Sequence, residues 1–125
     1  MSKERRLTLN RAKEYFEFVQ TSEEELGWLV EKQEFCQQLL SAKDINAVMQ
    51  ANRLYKVLES EMKVHWQQSK NIMSSGEMLL TNSNEREDIQ ARINSLQQKW
   101  DKLRCTANLL LEWLQKAVSK FCQSY

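Results

Sequence analysis

Apolar residues in the last third of the chain recur in alternating steps of four and three positions. The spacing predicts a long α-helix over about residues 85–123 with all of these side chains on one face. Its mean period of about 3.5 residues indicates left-handed supercoiling against partner helices. The series contains Ile89, Ile93, Leu96, Trp100, Leu103, Ala107, Leu110, Leu114, Ala117 and Phe121.

The same spacing recurs, less strictly, in two earlier segments. In the first segment the apolar residues often occur as neighbouring pairs, which widens the apolar face as expected for a helix that contacts two others. These patterns predict helices over about residues 8–41 and 45–81. The series in the middle segment contains Val48, Ala51, Tyr55, Leu58, Met62, His65, Ser69, Ile72, Gly76 and Leu79.

Two short polar stretches separate the predicted helices. The first of them ends with Asp44, whose carboxylate is suited to accept a hydrogen bond from the free N–H groups at the start of the next helix. Short connections bring successive helices back alongside each other. The predicted fold class is therefore all-α, an elongated antiparallel three-helix bundle with the packing of a left-handed coiled coil.

Composition narrows the possible classes of protein. A chain of 125 residues suits one domain, and it has no Pro and only two Gly, so the turns of antiparallel sheets and phosphate-binding loops are not expected. Eighteen basic and 17 acidic residues leave a net charge of +1, which gives no indication of a nucleic-acid-binding face. No apolar stretch approaches the ~18 residues of a transmembrane helix. Three widely spaced cysteines are expected to be reduced thiols of a cytoplasmic protein.

Residues capable of catalysis or metal binding are sparse. His65 is the single histidine, and its neighbours one turn away form neither a nucleophile–base pair nor a metal-binding set. The carboxylates follow the polar faces of the predicted helices. We therefore expect no catalytic, cofactor-binding or metal-binding residues and no enzymatic activity, with His65 hydrogen-bonded to a neighbouring helix.

Both glycines lie inside predicted helices, where glycine costs about 1 kcal/mol relative to alanine. Gly76 belongs to the apolar series of the middle helix, and Gly27 lies within the first helix. Close packing against other helices is the expected reason for both residues.

Motifs in the first two predicted helices resemble the spectrin repeat. Phe18 is followed by the sequence EELGWL at residues 24–29, which is similar to the tryptophan motif of that family, with Trp28 in place of its near-invariant residue. The second helix carries LESEM at residues 58–62, and His65 follows at the family's spacing.

The resemblance continues to the end of the third helix. Gly76 matches a glycine common in the family, and IQARINSL at residues 89–96 precedes Trp100 at the family's spacing. The resemblance covers about residues 15–121 as a single repeat. It leaves residues 1–14 as a helical lead-in or linker from a preceding repeat.

Periodicity and resemblance together predict which side chains form the core and which are left for a partner. The predicted partner surface, if its members are exposed and contiguous, consists of Trp66, Leu111 and Trp113. The predicted structural core consists of Phe18, Trp28, Leu58, Met62, His65, Gly76, Ile93, Leu96, Trp100 and Leu103.

The resemblance implies a non-catalytic structural and scaffolding module, one repeat of a rod-like cytoskeletal or adaptor protein. It would act as a spacer and as a protein-interaction surface in the cytoplasm, associated with the cytoskeleton. Its implied partners are neighbouring repeats of the same chain and cytoskeletal or adaptor proteins such as actin or ankyrin. Two alternatives remain: a regulatory repeat in a signalling protein such as a Rho guanine-nucleotide exchange factor, and a helical bundle that binds lipid surfaces.

Overall fold

Three long α-helices form nearly all of the chain in the computed structural model, which describes residues 2–81 and 84–123, with side chains from 12–81 and 84–120. The helices are α1 (Ser2–Leu39), α2 (Ile45–Leu80) and α3 (Arg86–Gln123), and the described residues include no strand. All three pairs of helices are in contact, which confirms the predicted three-helix bundle. None of the described helices is long and apolar enough to cross a membrane.

The ends of the helices differ slightly from those expected from the sequence. The observed ends agree with the approximate predicted ranges to within two residues, except that α1 begins at residue 2, six residues before its predicted start. The largest error arises because the first residues of α1 are mostly polar and contribute no apolar spacing.

The turn between α1 and α2 closes as predicted. Asp44 has an extended backbone, and its carboxylate accepts a hydrogen bond from the Ala47 N–H group at 2.8 Å. Its carbonyl oxygen accepts from Val48 N–H at 2.9 Å. Asp44 therefore serves as the N-cap that starts α2 on its return along α1.

The core runs the length of the bundle, and α3 contributes most to it. The side chains of its apolar series from Ile89 to Leu114 are each no more than 3% exposed, which confirms the strict spacing of that helix. Phe121, the last member of the series, lies outside the described side chains. Cys36 of α1 is fully buried in the same core, and burial raises the pKa of its thiol to about 11.

Helix α1 extends past one end of the bundle. Tyr15 contacts Asp88, which lies close to the first residue of α3, so residues 2–14 of α1 lie beyond the level at which α3 begins. At about 1.5 Å per residue this segment is about 20 Å long.

Near that end, α1 and α3 are joined by a group of polar side chains. The Tyr15 hydroxyl donates to Asp88 Oδ2 at 2.6 Å, and Arg92 Nε donates to the same oxygen at 3.0 Å. Arg92 also lies 3.4 Å from a carboxylate oxygen of Glu23 on α1. The hydrogen bond to Asp88, with burial and nearby carboxylates, raises the pKa of Tyr15 to about 12, and hydrogen bonds from Tyr15 and Arg92 lower the pKa of Asp88.

We predict that Tyr15→Phe lowers the free energy of unfolding by about 0.5–1.5 kcal/mol at neutral pH. Because the pKa of Asp88 is lowered in the folded state, its hydrogen bonds stabilise the fold fully at pH values above the pKa of an unfolded aspartate. This stabilisation is lost as the pH falls and the folded carboxylate becomes protonated. The raised pKa of Tyr15 makes its contribution present below the unfolded-state pKa and lost as pH rises towards about 12. Urea unfolding across pH should show the difference between wild type and variant shrinking at both extremes, and a difference independent of pH would contradict this interpretation.

The two glycines have different surroundings. A methyl group at Gly76 would lie 2.7 Å from Phe18 Cε2 and 3.0 Å from Ile93 Cδ1, so all three helices meet closely there. The expected packing role is confirmed for Gly76. It is wrong for Gly27, which is exposed and whose added methyl group would meet no atom within 4 Å.

Alanine is therefore expected to have different effects on stability at the two glycine positions. Gly27→Ala should stabilise the chain by about 1 kcal/mol through helix propensity alone. Gly76→Ala should be less stable than Gly27→Ala by about 1–3 kcal/mol, because overpacking against Phe18 and Ile93 opposes the same gain in helix propensity. Urea unfolding midpoints measure both changes, and equal stabilisation by the two alanines would show that the close approach at Gly76 is not maintained.

Candidate functional site

A chain of buried hydrogen bonds links all three helices near the middle of the bundle. Trp100 on α3 donates its Nε1–H to Ser69 Oγ on α2 at 2.7 Å, and Ser69 donates its hydroxyl hydrogen to Glu25 Oε1 on α1 at 3.0 Å. Ser69 is fully buried, Trp100 is 1% exposed and Glu25 is 5% exposed. The bonds are therefore formed out of contact with bulk water.

His65 supplies the second donor to the buried carboxylate. Its Nδ1 lies 3.0 and 3.1 Å from the two oxygens of Glu25, and because a carboxylate only accepts, Nδ1 carries the hydrogen of this contact. The Trp28 ring stacks on the imidazole, with ring centroids 3.7 Å apart and planes 6° from parallel. We refer to Glu25, Trp28, His65, Ser69 and Trp100 as the central polar cluster.

The polar side chains of the central polar cluster are hydrogen-bonded to one another. Ser69 uses its hydroxyl both to accept from Trp100 and to donate to Glu25, while His65 bonds to the same carboxylate and not to the serine. No nucleophile is therefore held against the imidazole as a base would require. Among the described side chains, no three His, Cys, Asp or Glu groups are placed to hold a metal ion.

A second aromatic layer covers the outer side of the cluster. The Trp66 ring meets the Trp100 ring edge to face at 5.3 Å. The Arg104 guanidinium lies 3.9 Å from the centroid of Trp66 and 5.5 Å from that of Trp100, within the range of cation–π attraction. Arg104 therefore covers the outer side of the Trp66 and Trp100 rings at the edge of the core.

The three residues expected to form a partner surface are all half-buried. Trp66, Leu111 and Trp113 pack against the core while part of each side chain stays accessible. Their role in binding a partner stays a prediction. The strongly exposed large apolar side chains are different ones, which include Phe16, Val57, Val64, Met78 and Leu109.

The predicted core residues fall into two groups. Trp28, Met62 and His65 are half-buried at the edge of the core. The buried group consists of Phe18, Leu58, Gly76, Ile93, Leu96, Trp100 and Leu103.

Sequence reasoning missed the role of Glu25. Like the other carboxylates, Glu25 was expected to lie on a polar face of its helix. The signal that indicates burial is its spacing, because Phe18, Ser22, Glu25 and Leu29 follow one another in steps of four, three and four. Glu25 therefore lies on the buried stripe of α1 even though its type suggests solvent.

A three-helix bundle of this length, built on aromatic and apolar seams, belongs to the class of structural helical repeats. The spectrin-repeat family model matches residues 13–118, and the chain belongs to this family, which is a structural, non-catalytic module. The chain is 28% identical over 119 residues to a spectrin beta chain of Drosophila melanogaster. That similarity covers 94% of this chain and 5% of the relative, and no solved structure gives a match.

The cluster predicts a large effect from a small substitution. Ser69→Ala should lower the free energy of unfolding by about 1–3 kcal/mol, because it leaves the buried Trp100 N–H without an acceptor and removes a donor to Glu25. Ser60→Ala is the matched control on the same helix, because that serine is exposed, and it should change stability by less than about 0.5 kcal/mol. Equal effects of the two substitutions on urea unfolding would show that the buried hydrogen bonds of Ser69 contribute nothing to stability.

Proposed function

We propose that this chain serves as one repeat of a rod-like cytoskeletal or adaptor protein in the cytoplasm. Its role there is to hold a fixed distance and to present a surface to other proteins. Membership of the spectrin-repeat family and the similarity to a part of a much longer spectrin chain support this function. Neighbouring repeats are the partners that the proposal requires, and cytoskeletal or adaptor proteins are the further partners.

The observation that carries the proposal is the path of α1 past the end of the bundle. Three antiparallel helices bring the chain in at one end and out at the other, so consecutive bundles would follow one another along a line. Residues 2–14 continue α1 as an unbroken helix beyond the level of Asp88. The family match begins at residue 13, close to where α1 comes alongside α3.

A rigid connection between repeats follows from this arrangement. A continuous helix that leaves one bundle and enters the next transmits bending and tension without a flexible hinge. Helix α3 contains 38 residues and is about 57 Å long, which sets the distance spanned by each repeat. The proposed lead-in, residues 1–14, would supply the connection to the preceding repeat.

Two copies of the chain joined end to end test the proposal. The tandem should unfold at a higher urea midpoint than the single chain, because each repeat stabilises its neighbour across a continuous helix. Leu7→Pro in the second copy should restore the midpoint of the single chain, since proline interrupts the connecting helix. The same substitution in the single chain is the control and should leave its midpoint unchanged, because residue 7 lies beyond the bundle.

A tandem that unfolds with the midpoint of the single chain would contradict the proposed connection. A proline variant that leaves the tandem's higher midpoint intact would contradict it as well, because the coupling would then not run through the helix.

A further inference from the structure

The outer surface of α2 carries a line of exposed apolar side chains. Val57, Val64 and Met78 are 56%, 59% and 77% exposed, and their positions differ by multiples of seven residues. Seven residues are two helical turns, about 10.5 Å along the axis, so these side chains lie on one side of the supercoiled helix. The line is separate from the buried seam of α2.

A matching line of acidic side chains follows the neighbouring edge of α1. Glu17, Glu24 and Glu31 are exposed and also lie seven residues apart. Within the described side chains, none of these three glutamates has a basic group within salt-bridge distance. Their charges are therefore available to a partner.

The acidic and apolar lines meet at a groove between α1 and α2 that is lined by one member of each, Glu17 and Met78. This pair of helices makes the least extensive contact of the three. An open groove of about 520 Å³ separates them, with Glu17 and Thr21 on one rim and Ser75 and Met78 on the other. Phe18 and Ile72 form part of its apolar floor.

The groove between α1 and α2 is predominantly acidic, and an ion pair across the two helices joins Lys32 of α1 to Glu61 of α2 at 3.3 Å. On the edges of the two helices that border it, positions 14, 17, 21, 24, 28 and 31 of α1 and 57, 61, 64, 68, 71, 75 and 78 of α2 include five glutamates and neither Lys nor Arg. The lysines of α2 belong to its other edge, where Lys63 borders the groove beside Trp66 and Arg104 of α3. A ligand of the α1–α2 groove is therefore selected for positive charge.

We propose that the α1–α2 groove docks an amphipathic α-helix of a partner protein that carries Lys or Arg beside an apolar stripe. The apolar stripe would cover Val57, Val64 and Met78, and the basic side chains would meet Glu17, Glu24 and Glu31. A helix suits the groove because its own apolar positions repeat every seven residues, so each two turns present the same contact. The proposed docking is independent of the end-to-end connection between repeats.

A designed peptide tests the proposal directly with the full 125-residue chain. The probe is a fluorescently labelled 21-residue helix with Leu at its seam positions and Lys flanking them, and the control peptide replaces each Lys by Glu. Fluorescence anisotropy should show saturable binding of the Lys peptide, weakened by salt, and no binding of the Glu peptide. Equal binding of both peptides, or binding of neither, would overturn the proposal.

Surface variants locate the site. The triple variant Glu17→Lys, Glu24→Lys and Glu31→Lys should weaken binding of the Lys peptide at least about tenfold, since it reverses every charge of the acidic line. The matched control makes the same change in net charge on other surfaces, with Glu34→Lys, Asp101→Lys and Glu112→Lys, and should change binding by less than about twofold. Equal weakening by both triple variants would show attraction by net charge only and would overturn the docking site.

Circular dichroism shows whether charge reversal disturbs folding. If it does, the single variant Val64→Ser still tests the docking site. It leaves all charges unchanged and should weaken binding about threefold or more, because Val64 lies in the middle of the apolar line. Unchanged affinity in this variant would remove the apolar part of the proposal. Sedimentation that shows a dimer of the chain, abolished by the triple variant at Glu17, Glu24 and Glu31, would assign the groove to a second copy instead and overturn the partner helix.

Discussion

The buried carboxylate of Glu25 sets the relative positions of the three helices. A carboxylate out of contact with water is strongly destabilising unless hydrogen-bond donors surround it. Here both donors come from α2, through His65 and Ser69, and Ser69 accepts in turn from Trp100 on α3. Apolar seams with a regular repeat would pack almost as well after a slide of two turns, whereas the hydrogen bonds form in one alignment. The cluster thereby opposes sliding of the three helices past one another.

The inside and the outside of the bundle therefore have separate roles. Inside, aromatic rings and the central polar cluster align the helices, and the close approach at Gly76 brings Phe18 and Ile93 together. Outside, two of the grooves differ in character: the groove between α1 and α2 is mainly acidic and apolar, and the groove between α2 and α3 contains Lys63 and Arg104 beside Trp66. Because the outer residues do not hold the fold together, they can differ between related repeats without loss of the three-helix bundle.

How far the sequence predicts the structure varies from helix to helix. In α3 every described member of the apolar series up to Leu114 is buried, since that helix is amphipathic throughout and contacts both of its neighbours. In α1 the same reasoning was less successful, because Ser22 and Glu25 occupy buried positions with polar side chains. The first residues of α1 were missed for the opposite reason, since a helix that leaves the bundle needs no apolar face. Trp66 and Trp113 could not be placed as inside or outside from spacing, because they lie at the margins of the seams.

Helix number, length and direction follow from the order of residues, since a helix shows itself in neighbours three and four positions apart and a short polar turn reverses the chain. The Asp44 cap is local in the same way. Contacts between helices are different, because Glu25 is bound by residues 40 and 44 positions away along the chain. The local spacing places Glu25 and Gly76 on buried faces, but it does not show which groups of the other helices bind the carboxylate or approach the glycine. Those contacts arise from the distances between helices, which exist only once the three have packed.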